Sequence, residues 1–288
     1  MSSEKSLDVY RDWLGIKETE RPLNFYQLLR LKPFEDDQDR VRRHYRKMHN
    51  HARKFATGDF SVASQDLLNE LARAMLCLTD VKRKKDYDIS LGRKEAKIRE
   101  QQGGLADILL RKKLLDRAQL ELAENYASLV GLSLRDAICQ KELLPQLTVM
   151  QAFAQAEGLP FIELADVTID ENLFSKISAL IARTHSVVPF MVENNHLLLA
   201  SPNPLDLQLE EDLKLKLGIP VRAVLCTSVD VNRIIKQHYP REKADAEIAE
   251  RSQGDDVEPK KNGDNEDNEI EGLATTWEKI KKWTQKKR

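Results

Sequence analysis

The sequence predicts an α+β protein that is mostly helical. Three observations carry this. Apolar residues recur at helical spacing through residues 25–78. A helical unit over residues 105–115 returns at residues 134–144. Residues 187–226 then change to short apolar runs around the turn signal Asn194-Asn195.

At 288 residues the length suggests about two domains plus tails. The formal net charge is −1, but the charge is unevenly placed. Residues 1–102 carry 22 basic and 17 acidic side chains, residues 241–272 carry 5 and 12, and residues 273–288 carry 6 and 1. The global balance therefore says nothing of a polyanionic partner, and only local surfaces bear on one. Cys77, Cys139 and Cys226 each lie in an apolar run, without metal-ligand spacing, and read as buried reduced thiols. Residues 1–21 form an N-terminal segment with no apolar signal core, and no run of 18 apolar residues occurs. A cytoplasmic protein is expected, with peripheral contact at the inner face of the plasma membrane as an option.

Residues 22–102 read as a helical module and its linker. Asn24-Phe25-Tyr26-Gln27-Leu28-Leu29 starts a short amphipathic helix. Glu35 to Lys54 reads as one long basic helix with an apolar stripe of Val41, Tyr45 and Met48. Ser64 is the expected N-cap of a third helix carrying Leu67, Leu68, Leu71, Met75 and Leu78. Lys82-Arg83-Lys84-Lys85-Asp86-Tyr87-Asp88 follows, and Arg93 to Gln102 is a charged linker ending at Gly103-Gly104. This order of Phe-Tyr-x-Leu-Leu, Tyr45-Arg46-Lys47-Met48 and Lys-Arg-x-x-Asp-Tyr-Asp resembles a J-domain. The His-Pro-Asp loop through which J-domains act on their chaperone is missing, since the chain reads Arg53-Lys54-Phe55 at that place. The resemblance thus implies a J-like fold without the co-chaperone activity, and a chaperone adaptor is the third functional reading. The basic helix has too few aromatics for a stacking platform, so it reads as a solvated face and no specific nucleic acid is expected.

Residues 103–157 hold the repeat. Leu105-Ala106-Asp107 and Leu134-Arg135-Asp136 lie 29 residues apart, and Lys112/Lys141, Leu114/Leu143 and Leu115/Leu144 recur in register. Each copy reads as a helix pair, with Asp116 capping the second helix of the first copy and Pro145 opening that of the second. Residues 158–240 read as an α/β lobe. Gly158-Leu159-Pro160-Phe161-Ile162-Glu163-Leu164 is an extended joint, and Leu173, Phe174, Ile177, Leu180 and Ile181 read as one helix face. Strands follow at Val187–Val192, His196–Ala200 and Val221–Cys226. A helix capped by Asn203 ends near Gly218, and a last one, capped by Ser228 or Asp230, runs to Tyr239. The sheet is expected to be antiparallel or mixed, with helices on one face.

The repeat, the joint, Ile181-Ala182-Arg183-Thr184-His185-Ser186-Val187-Val188-Pro189 and Leu198-Leu199-Ala200-Ser201-Pro202-Asn203-Pro204-Leu205-Asp206 follow in one order. That order resembles the N-terminal domain of the type II secretion and type IV pilus assembly ATPases, over roughly half the chain. The resemblance implies docking on a component of a membrane platform. In members that bind cyclic di-GMP, each copy of the repeat starts Arg-Leu-Gly and has a second glycine seven residues on. Here those places read Gly104-Leu105-Ala106 and Ser133-Leu134-Arg135, with Lys113 and Glu142 at the second-glycine positions. Guanine recognition suits a bidentate arginine, and close backbone approach needs glycine. A cyclic dinucleotide is therefore not the expected ligand. Arg111, Lys112, Arg135 and Gln119 stay as anion candidates for the alternative reading, a nucleotide sensor with a degenerate site.

No phosphate loop, His-Glu-x-x-His or serine-nucleophile context occurs, so no enzyme, no catalytic residue, no metal and no cofactor are expected. His185 and His196 lack ligand-spaced partners and read as surface or hydrogen-bonded histidines. Residues 241–269 are polar and acidic and read as a disordered linker. Residues 270–288 read as a basic amphipathic helix, whose Trp277, Ile280 and Trp283 are partner-binding candidates for a protein groove or an anionic membrane surface. The leading functional expectation is a non-catalytic interaction or regulatory protein that docks a protein partner, a secretion or pilus platform component or ATPase.

Overall fold

The computed structural model describes residues 8–93 and 103–240. Residues 94–102, the acidic stretch 241–269 and the segment with Trp277, Ile280 and Trp283 lie outside the described residues. The architecture is α+β, with helices dominating and one three-stranded sheet.

The first helices start where a side chain can take up free amides. Asp8 accepts from the Tyr10 and Arg11 amides ahead of α1 (Val9–Asp12). Asn24 and Gln27 form a reciprocal capping box on α2 (Phe25–Leu28). The basic helix α3 spans Gln38–Ala52, three residues later than its expected start, because Asp37 is the cap that reaches the Asp39 and Arg40 amides. It ends in a tight turn over Arg53–Phe55. Helix α4 (Ser61–Thr79) packs on α3. Ser64 does not cap it; the residue lies one turn inside, fully buried, and its hydroxyl donates to the Ala52 carbonyl at 2.9 Å. That bond joins the two long helices near their connection. Asp80 caps α5 (Val81–Ser90).

The repeat folds as two helix pairs, α6 (Leu105–Arg111) with α7 (Arg117–Val130), then α8 (Leu134–Gln140) with α9 (Gln146–Glu157). Helix α6 packs on α9, and α7 and α9 both pack on α8. Ile108, Leu109, Leu115, Ala123, Ile138, Val149 and Ala152 form their shared core. Neither pair closes a core alone, which is why the unit is doubled.

Extended residues at Phe161 and Ile162 join the sheet edge, where Ile162 N–H donates to the Leu225 carbonyl at 2.9 Å. The expected single helix over 173–181 is two pieces. A tight turn at Glu171–Lys176 is followed by extended Ile177, and α10 (Ala179–His185) starts afresh because Ser178 caps it. Strands β1 (Val188–Glu193) and β2 (His196–Ser201) form an antiparallel hairpin through Asn194 and Asn195, both at positive φ. β3 (Val221–Leu225) pairs with β2 in parallel through α11 (Leu207–Leu217), so the sheet is mixed. Asp206, not Asn203, caps α11, since the Asp206 carboxylate accepts from the Gln208 amide. Thr227, not Ser228 or Asp230, caps α12 (Ser228–His238), and Asp230 instead receives the Thr227 hydroxyl at 2.8 Å.

Successive residues Leu197–Ser201 are all buried, and in a strand they point to opposite faces, so the sheet is covered on both sides rather than one. A single core runs from Trp13 through α3 and α4 to the sheet and Tyr239. Across that junction Arg46 pairs with Glu163 at 3.2 Å, and His49 Nε2 meets the Asp166 carbonyl at 2.7 Å. Val81 N–H donates to the Gly158 carbonyl at 3.2 Å. The deepest link is Arg83 to Glu193 at 2.6 Å, with both side chains nearly out of solvent.

Candidate functional site

The two copies of the repeat turn the chain in the same way. After α6, Leu114 N–H donates to the Leu109 carbonyl and Lys113 N–H to the Leu110 carbonyl. After α8, Leu143 N–H donates to the Ile138 carbonyl and Glu142 N–H to the Cys139 carbonyl. Both are Schellman ends, which put the residue after the cap in the left-handed region. That residue is Lys113 (φ 55°) in one copy and Glu142 (φ 53°) in the other. Glycine is the residue suited to this conformation, and a side chain there costs about 1–2 kcal/mol. Lys113→Gly and Glu142→Gly should therefore each stabilise the chain, by about 0.5–1 kcal/mol after the entropy of the unfolded glycine is subtracted. Urea midpoints measure this, and a lowered midpoint would show that these side chains do more than fill the turn.

The sequence-predicted site residues are not gathered around one ligand-sized space. The Lys112 ammonium is held by both Asp39 oxygens, at 2.9 and 2.8 Å, and so ties α6 to α3. Gln119 is spent in a capping box with Asp116: its side chain accepts from the Asp116 amide at 3.1 Å, and its own amide donates back at 2.8 Å. Arg135 reaches away from the repeat. Its guanidinium donates to the Pro202 carbonyl at 2.9 Å and to Asn203 Oδ1 at 2.8 Å, pairs with Asp136 at 3.0 Å, and lies over the Phe153 ring. It joins α8 to the loop after β2. Of these four, Arg111 is the exposed cation that makes no ion pair among the described residues; it shares an open groove with Lys113, Arg117, Asp116 and Gln119.

The Lys-Arg-x-x-Asp-Tyr-Asp run serves structure. Arg83 holds Glu193, and the Tyr87 hydroxyl accepts from the Phe25 amide at 2.8 Å while its ring stacks on Phe25. Buried Asp88 accepts from the Tyr26 hydroxyl, and from Lys84 and Arg93 at 2.7 Å each. Arg93 and Lys84 also clamp Asp36; the Arg93 hydrogen bond is the main cause that holds its carboxyl down to about 2. Apart from the local pairs of Asp88 with Lys84 and Arg93, the partners of these residues lie far off in sequence, so no local pattern announced them.

Burial pushes the thiols of Cys77 (to about 12), Cys139 and Cys226 upward, which keeps them protonated and unreactive. Cys77 and Cys226 are buried, while Cys139 is only half-buried. His196 Nδ1 lies 2.8 Å from the Asn194 carbonyl in the hairpin turn, and His185 is exposed at the end of α10. Among the described residues no group of three or more His, Cys, Asp or Glu is placed to hold a metal ion.

Residues 157–245 match the family model of the MshEN domain. The type IV pilus assembly ATPase PilB of Myxococcus xanthus (strain DK1622) is 23% identical over 156 residues, 54% of this chain and 28% of that protein. The chain therefore spans little more than a quarter of the length of that relative. Among solved structures, that of MshE with cdg is 23% identical, covers 48% of this chain and 99% of its own, and superposes with a TM-score of 0.43. The N-terminal domain of XpsE is 15% identical, covers 47% and 93%, and gives a TM-score of 0.36. Over residues 157–245 the chain is thus similar to the MshEN domain, which supports the resemblance drawn above for that part of it.

Proposed function

We propose that this chain is a non-catalytic interaction protein, in which an MshEN-like domain fused to a basic helical module docks a protein partner of a secretion or pilus apparatus. One observation carries the reading. Three of the four candidate side chains in the repeat are used by the protein itself: Lys112 by Asp39, Gln119 by the Asp116 cap, and Arg135 by Pro202 and Asn203. A ligand would have to break these contacts. The turn positions that would admit its phosphates closely carry Lys113 and Glu142 instead of glycine. The helix order, a short α2, the α3/α4 hairpin and then α5, supports a J-like origin for the module; without His-Pro-Asp no co-chaperone role is proposed. No helix among the described residues is long and apolar enough to cross a membrane.

A second reading has one observation in its favour. Arg111, Lys113 and Arg117 line one groove, and such a cationic groove suits a nucleotide. Thermal unfolding of the full chain with 1 mM cyclic di-GMP, GTP or ATP separates the two. A site with a Kd near 10 μM would add about 2.7 kcal/mol of stability at that concentration. The docking reading predicts an unchanged melting temperature. A saturable rise that Arg111→Glu abolishes would establish the sensor reading in its place.

A further inference from the structure

Three cations share one groove of the repeat. Arg111 ends α6, Lys113 stands in the turn that follows, and Arg117 opens α7. All three are exposed, and none makes an ion pair among the described residues. The apolar lining of the groove is Leu110 and Leu114, both half-buried, and buried Leu115. Its volume is about 710 Å³. Clefts of roughly 300–1,000 Å³ hold a small ligand or a short run of peptide.

The lining selects among occupants. Two arginines and a lysine call for anionic groups, and the arginine fork matches a carboxylate as well as a phosphate. Asp116 decides between the two. Its carboxylate lies in the same groove, with Oδ1 accepting from the Gln119 amide at 2.8 Å and Oδ2 making no hydrogen bond among the described residues. Phosphates bring only acceptors and more negative charge against it. A peptide brings backbone N–H groups for Asp116 together with carboxylates for the cations. The leucines add a seat for an aliphatic side chain, which a purely polar segment would leave unused. A basic segment would be repelled by the cations. Lys113 points the same way. It holds a left-handed conformation that suits glycine, so the turn offers an ammonium to an occupant and not bare backbone.

We infer that this groove docks an acidic, leucine-bearing segment of a partner protein, with its carboxylates on Arg111, Lys113 and Arg117 and its aliphatic side chains on Leu110 and Leu114. This rests on the protein-docking reading and names the surface and the partner chemistry for it. The test is fluorescence anisotropy of a labelled peptide in which pairs of glutamates separate single leucines, titrated with the full chain. One control peptide has lysine for every glutamate, and a second has serine for every leucine. The inference predicts saturable micromolar binding of the first peptide, weakened by added salt, and binding of both controls weaker by about tenfold or more. Arg111→Glu and Arg117→Glu should each weaken binding of the first peptide about tenfold or more. Both side chains lie on the surface, so circular dichroism should be unchanged. Lys113→Gly should weaken binding while it raises the urea midpoint, which separates its part in docking from its part in folding. Lys214→Glu, at an exposed cation on α11, should leave binding as it was. Three results overturn the inference: no binding of the acidic peptide, binding indifferent to Arg111 and Arg117, or equal binding of the serine control, which would mark charge alone. Each leaves the docking reading standing with its surface elsewhere. That reading falls only to a nucleotide-dependent rise in melting temperature.

Discussion

Glu193→Ala is expected to destabilise the protein by about 3–5 kcal/mol, among the largest effects of any single surface-free charge change. The reason lies in what stays behind. Arg83 and Glu193 meet at 2.6 Å with side-chain exposures of 11% and 7%. Removal of the carboxylate leaves a guanidinium with little water and no ion-pair partner, only the charge of nearby Asp80, at the place where α5 meets the end of β1. At roughly 2–4 °C per kcal/mol for a chain of this size, the melting temperature should fall by about 10 °C. Replacement of both partners by apolar residues (Arg83→Met with Glu193→Leu) should recover most of the loss, because the unpaired charge is gone. A loss below 1 kcal/mol for Glu193→Ala in urea unfolding would show that the junction is wetter than the structure has it.

Asp88→Ala should be of similar size, about 3–5 kcal/mol. The carboxylate is buried, and three donors converge on it: the Tyr26 hydroxyl, Lys84 and Arg93. Tyr26 is itself only 1% exposed and has no water to turn to. Its phenol is pushed above the ordinary range by burial first and by the Asp88 hydrogen bond second, so it stays a donor. Lys84 and Arg93 keep Asp36 as a partner, which limits their share of the loss. Asp88→Asn retains an acceptor for Tyr26 and should cost less, about 1–3 kcal/mol. An alanine variant no worse than the asparagine one would contradict the role given to the Tyr26 hydroxyl.

Local signals were legible in the sequence wherever the cause of structure is local. The Asp116 cap, the Asn194-Asn195 hairpin turn and the Gly218 helix end all rest on residues within four positions of one another. The 29-residue repeat was legible too, down to Lys113 and Glu142 as the places where glycine is missing. Misreadings came where two nearby residues competed for one job. Asn203 lost to Asp206, and Ser64 lost its cap role because the tight turn at Gly58–Phe60 starts α4 four residues earlier. The fate of the candidate site was not legible. Asp39 for Lys112, Pro202 and Asn203 for Arg135, and Glu193 for Arg83 lie 67 to 110 residues away, and only the folded chain brings them together.

The central claim is that the basic helical module and the MshEN-like domain form one body, so that the charges between them belong to structure and not to a ligand. Trp13 reports on the module, and with Trp277→Phe and Trp283→Phe it is the sole tryptophan of the chain. Its fluorescence, followed through urea unfolding, should be set beside hydrogen exchange at the Ile162 and Leu225 amides, which close the sheet edge. The account predicts one shared midpoint for both probes, lowered equally by Glu193→Ala. Loss of the Trp13 signal at a lower urea concentration, with the sheet amides still protected, would contradict it.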